Sequence, residues 1–234
     1  MRHEAHFVPT RTGSDWQRLL AKPELHWKSG RSAMTAAACW DQAADRMPRD
    51  IAQVLSSSEV PDLKELRLLL AVPEWEVPLP GGSRPSFTDV FAIATNQIGL
   101  CTLAVEAKAG EDFGPTIAAR MLEPSAGQET RIAYLQELLG TQFDGAIRYQ
   151  LLHRTASAII AARDFHARTA VMVVHAWNST PEQRQDFEAF SAAMGAEHRG
   201  TNVREVARAE GPRLFLAWCD GDPEFLRASL PSGT

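Results

Sequence analysis

Asp89, Glu106 and Lys108 stand in an otherwise apolar, alternating stretch, TDVFAIATNQIGLCTLAVEAKAG, residues 88–110. Carboxylates are ligands for a hard divalent cation, and an ammonium beside them can orient or deprotonate a water. Alternate side chains of an extended chain share a face, so Ala104, Glu106 and Lys108 project one way and Leu103, Val105 and Ala107 the other. Asn96-Gln97-Ile98-Gly99 reads as the hairpin connection between two strands. A loop of Gln97 and Ile98, or of all four residues, sets Asp89 directly opposite Glu106, whereas a loop of odd length puts them on opposite faces. In the even case the Cβ atoms stand about 4.5–5.5 Å apart and the like charges repel, so something positive is needed between them. Mg²⁺ or Mn²⁺ fits that position and would stabilise charge growing on a phosphoryl oxygen, with Lys108 beside the attacking water. That is chemistry for hydrolysing a phosphodiester.

The elements that must hold these residues follow from periodicity and punctuation. Ser14 can cap a short helix through Leu20, Ser32 a second to about Asp45, and Pro48 can sit in the first turn of a third ending near Leu55. Leu66 to Val72 reads as a strand, and VPEWEVPLPGGSRPS, residues 72–86, reads as irregular because it carries four prolines and two glycines. Helical spacing returns between Gly127 and Ala167: Ile132, Leu135, Leu138 and Leu139 mark one amphipathic helix, and Ile147, Leu151, Ala158 and Ile159 a second. Thr169 to Trp177 reads as a strand buried on both faces, followed by a helix capped by Thr180 and stopped at Gly195. Arg213 to Cys219 is a final strand. Helices, three strands, helices, strand, helix and strand make an α/β fold, divided into a helical N-terminal extension over 1–62 and a core over 63–234.

Asp89, sixteen residues, then Glu106-Ala107-Lys108 on a hairpin resembles the PD-(D/E)XK nuclease superfamily, with Thr88-Asp89 in place of Pro-Asp. The likeness spans roughly residues 63–177. It implies a restriction-endonuclease-like core, a mixed central sheet flanked by helices, with Asp89 and Glu106 as metal ligands, Lys108 as the catalytic lysine and Mg²⁺ or Mn²⁺ as cofactor. PSFTDVFA, AVEAKAGEDFG and RYQLLHRTASAII together resemble a family of uncharacterised bacterial proteins with this core. Superfamily members often add a Gln or a basic residue from the helix after the third strand. Gln150, His153 and Arg154 lie at i, i+3 and i+4, hence on one helical face, and could approach the site or a substrate phosphate. The same three residues also read as a solvated or satisfied polar face. A further Glu has no secure match; Glu74 and Glu76 are candidates by proximity.

Bulk properties set the alternatives. With 44% hydrophobic and 23% charged residues the 234-residue chain is ordinary globular material, and its apolar runs are too short to span a bilayer. An odd set of cysteines without CxxC spacing, Cys39, Cys101 and Cys219, reads as buried thiols in a reducing cytoplasm. The net charge of -5 argues against bulk electrostatic coating of nucleic acid, while leaving room for a local basic groove such as the surplus of basic residues in the first 49 positions. His175 reads as a hydrogen-bonded core histidine, His3 and His6 as incidental, Glu111 and Asp112 as loop-shaping, and Trp16, Trp27, Trp40 and Trp75 as packing residues. The expected partner is nucleic acid, and the sequence leaves homodimerisation open. The competing expectation is a non-catalytic binding module on the same fold.

Overall fold

The computed structural model of the protein describes residues 12–231. His3 and His6 lie outside them. The N-terminal segment forms a 3-10 turn over Gly13–Leu19 where a helix from Ser14 was expected, then helices α1 (Pro23–His26), α2 (Ser32–Ala43) and α3 (Arg49–Ser56). Arg31 holds the cap position of α2, and α2 stops where Ala44 takes a left-handed φ of 55°. Pro48 caps α3 from outside the first turn.

Strand β1 (Arg67–Val77) runs five residues beyond the expected end at Val72 and through Pro73. A proline costs a strand only the N–H it would have donated, and β1 is an edge strand, so the loss is tolerable there. The irregular segment is therefore confined to the residues between Val77 and Ser86. Strands β2 (Ser86–Thr95) and β3 (Leu100–Lys108) follow, then α4 (Ile117–Arg120), α5 (Ala126–Leu139), α6 (Tyr149–Asp164), β4 (Thr169–Ala176), α7 (Pro181–Ala193), β5 (Glu197–His198), β6 (Val203–Val206) and β7 (Arg213–Asp220). Ser125 and Gln128 close a capping box on α5, and Thr180 and Gln183 do the same on α7, which satisfies backbone groups the first turn leaves free. The short strands β5 and β6 are too brief to leave a periodic signal.

The seven strands form one mixed sheet in the order β1-β2-β3-β4-β7-β6-β5. β1, β2 and β3 are an antiparallel meander; β3-β4 and β4-β7 are parallel and joined by helical crossovers. Helices cover both faces, so the protein is a mixed α/β structure. Leu135, Leu151, Ile159, Phe187 and Phe190 of α5, α6 and α7 pack on one face against Ala104, Met172 and Leu216. Met34, Ala37, Trp40, Ile51 and Leu55 of α2 and α3 pack on the other against Val90, Leu103, Val105 and Phe215. Every residue of β4 is buried, as a central strand covered on both sides requires. Among the described residues no helix is long and apolar enough to cross a membrane.

Candidate functional site

Asn96 to Gly99 is a four-residue loop closed by the Thr95–Leu100 pair, which settles the parity of the hairpin. The Asn96 side chain builds it: Oδ1 accepts from the N–H of Ile98 at 2.9 Å and of Gly99 at 3.3 Å. Its Nδ2 donates to the carbonyls of Pro61, Asp62 and Lys64, fastening the loop to the preceding segment. The ladder then runs up to Val90–Val105. One step beyond, Asp89 and Glu106 occupy facing positions.

At that step the sheet forks. β2 stays paired with β1 as far as Ser86–Val77, and β3 stays paired with β4 as far as Lys108–Ala176, but β2 and β3 pair no further. The N–H of Ala107, freed from the ladder, donates to Asp89 Oδ2 at 2.7 Å instead. On the other side of Asp89 stands Glu74 in β1, between the pairs Pro73–Val90 and Trp75–Thr88. Glu74 has a φ of 52°, a conformation that costs a residue with a side chain of order 1–3 kcal/mol and that concentrates where function imposes it. Glu74, Asp89 and Glu106 thus form a row of carboxylates across three adjacent strands.

Helix α6 supplies the groups that meet this row. Arg154 Nε donates to Glu106 Oε2, and its Nη2 lies 3.7 Å from Asp89 Oδ1, so the guanidinium bridges the two facing acids. Lys108 Nζ lies 2.9 Å from Glu106 Oε1 and donates to Gln150 Oε1 at 2.9 Å, while Gln150 Nε2 donates to the same Glu106 oxygen at 2.5 Å. The positive charge that facing carboxylates demand is therefore present in the chain itself, as Arg154 and Lys108. His153 reaches Ser86: its Nδ1 is 2.8 Å from Ser86 Oγ, which also accepts from Arg154 Nη1 at 3.1 Å. Ser86 escaped the sequence reading because it sits among prolines and its partners lie on a distant helix.

Burial and mutual repulsion give the three acids different characters. Desolvation and the negative charge of Glu106 push Asp89 up to about 7, against the attraction of Arg154. Desolvation and then Asp89 push Glu74 up to about 8. Desolvation also acts upward on Glu106, but Arg154 and Lys108 outweigh it and hold its carboxyl down at about 2. Desolvation, then the charge of Arg154, keeps His153 well below its ordinary value, so Nδ1 can accept the Ser86 proton. The N-terminal segment covers this end of the row: Trp16 and Trp27 wall a void of only about 10 Å³ against Glu74 and Asp89.

Behind α6's polar face opens a cavity of about 320 Å³ lined by Arg84, Arg120, Arg131, Arg154, Ser86, Tyr149, Gln150 and His153, with no acid in its wall. Arg120 stacks on Tyr149 at 4.2 Å, and Arg131 is spent on the carbonyls of Leu79, Pro80 and Gly82. Other expected residues fall elsewhere. Glu76 is exposed, outside the cluster. Glu111 and Asp112 accept from backbone N–H groups of the loop, Glu111 from Ala109 at 2.6 Å and Asp112 from Gly114 at 2.7 Å. Trp16, Trp27 and Trp40 are buried in the core under α2 and α3, and Trp75 stacks on Phe91. His175, Cys39, Cys101 and Cys219 are buried.

No curated protein and no solved structure matches the chain. The family described as Domain of unknown function (DUF6946) matches residues 9–223, nearly the full length, and the protein belongs to that family.

Proposed function

We propose that this protein hydrolyses phosphodiester bonds in nucleic acid with a divalent metal, at a PD-(D/E)XK-type site on a restriction-endonuclease-like core. The observation that carries the reading is the row of Glu74, Asp89 and Glu106 at the fork of β2 and β3, with Lys108 one pleat further on. Two of these carboxyls are pushed toward neutral pH, by burial first and then by a neighbouring carboxylate, against the attraction of Arg154. A donor set in that condition fits Mg²⁺ or Mn²⁺, and among the described residues no side-chain hydrogen bond or ion pair engages the Glu74 carboxylate. Asp89 and Glu74 would hold the metal, joined by Glu106 when Arg154 turns aside. When bound, the metal supplies Lewis acidity toward a phosphoryl oxygen. Lys108, oriented by Gln150 and Glu106 and 5.2 Å from the Phe113 ring centre, is placed to position or deprotonate the attacking water. The acid-free, arginine-bearing cavity gives the phosphates of the substrate a place to lie.

One observation favours the second reading, a binding module without chemistry. Both oxygens of Glu106 are already engaged, by Lys108, Gln150 and Arg154, as in a purely structural ion network. Mn²⁺ titration of the metal-free protein separates the two. Binding that weakens at least about tenfold in Asp89→Asn supports the catalytic reading, and binding indifferent to Asp89→Asn contradicts it.

A further inference from the structure

We propose that Cys39, Asp50 and His175 form a second, separate metal site, for a divalent cation of the zinc class, on the opposite face of the sheet. The two places are back to back. Glu106 pairs with Val174 and turns toward α6, while the next pair, Ala107 and His175, turns toward α2 and α3. Cys39 comes from α2 and Asp50 from the first turn of α3, so three separate segments converge on one point.

The geometry is close to what such a cation takes. One donor atom each from Cys39, Asp50 and His175 lie within 4.8 Å of one another, and His175 Nε2 is 2.8 Å from Asp50 Oδ2. Tetrahedral bonds of about 2.0 Å to nitrogen and oxygen and about 2.3 Å to sulfur set ligand atoms about 3.3 to 3.5 Å apart. Shifts of about 1 Å or less convert one arrangement into the other. The donor set selects the metal: a thiol and an imidazole are poor ligands for Mg²⁺ and good ones for zinc-class cations, with the carboxylate suiting both.

His175 is fully buried, and Nε2, the ring nitrogen that faces Asp50, is the atom it offers to the site. Trp177 lies against the ring with centroids 3.9 Å apart and fixes its orientation. Cys39 and Asp50 open onto a cavity of about 630 Å³, also lined by Gln42, Arg49 and Gln53, which offers an entry path and room for a water in the fourth position. On binding, the Cys39 thiol becomes a thiolate and its proton leaves through that cavity to solvent.

Co²⁺ is the probe. Titrating it into the full-length, metal-free protein is expected to produce a thiolate-to-cobalt charge-transfer band in the near ultraviolet with visible bands of tetrahedral strength. Cys39→Ser should abolish the charge-transfer band, and Asp50→Asn, on the cavity wall, should weaken binding at least tenfold while the protein keeps its fold by circular dichroism. Asp89→Asn should leave the band unchanged, which keeps this site distinct from the carboxylate row. Absence of the band in the wild type, its persistence in Cys39→Ser, or its loss in Asp89→Asn would overturn the assignment.

Discussion

At the scale of single residues, the carboxylate row makes a prediction about pH. Asp89 and Glu74 carry protons in the folded, metal-free protein up to about 7 and about 8, whereas their ordinary values are 3.8 and 4.5. The folded state thus binds more protons than the unfolded one in that window, so stability present below about pH 4 is lost as pH rises through the folded values. Glu106 works oppositely: held low, it contributes above its ordinary value of 4.5 and that contribution fades only in acid. Thermal unfolding of the metal-free protein should therefore fall in midpoint from pH 5 to pH 8, and Glu74→Gln should flatten the slope; a flat wild-type profile would contradict the raised values. Asp89, Glu106 and Lys108 were legible because alternation and loop parity are local properties of the sequence. Glu74 was only a neighbour in sequence, since its place opposite Asp89 depends on a strand continuing through Pro73. Ser86 was invisible for a related reason: its bonds to His153, Arg154 and Ser157 cross more than sixty residues.

At the scale of elements, the hairpin register decides whether the acids face each other, and Asn96 holds that register with five hydrogen bonds. Asn96→Ala removes both sets at once. Because several of these groups are exposed and can turn to water, a loss of about 1–3 kcal/mol is expected, measured by urea unfolding. A cost near zero would mean that the strands alone set the register. Helix α6 is the second positioning element. Its apolar residues Leu151, Ala158 and Ile159 are fully buried, which places Gln150, His153 and Arg154 over the fork of β2 and β3. Periodicity found α5 because it buries one regular stripe, and α6 because its apolar residues recur at helical spacing although the helix is buried nearly all round. It could not find β5 and β6, of two and four residues, or tell the 3-10 turn after Thr12 from a true helix. Element boundaries were set instead by tertiary contacts and caps.

At the scale of the whole molecule, one sheet separates two chemistries: carboxylates, lysine and arginine under α6, and thiol, imidazole and carboxylate under α2 and α3. The N-terminal segment is more than an attachment, because Trp16 and Trp27 close over Glu74 and Asp89. The surplus of basic residues in the first 49 positions contributes none of the arginines that line the acid-free cavity. The acid-free cavity draws its arginines from positions 84 to 154, brought together only by folding. Net charge, at -5, concealed that local reversal of sign. The most direct test of the proposed activity is cleavage of single- and double-stranded DNA and RNA in Mg²⁺ or Mn²⁺, with wild type beside Lys108→Ala. The account predicts metal-dependent cleavage that drops by about 10²- to 10⁴-fold in the variant while the protein keeps its fold by circular dichroism. Undiminished cleavage by Lys108→Ala, or no cleavage of any of these substrates by the wild type, would contradict it.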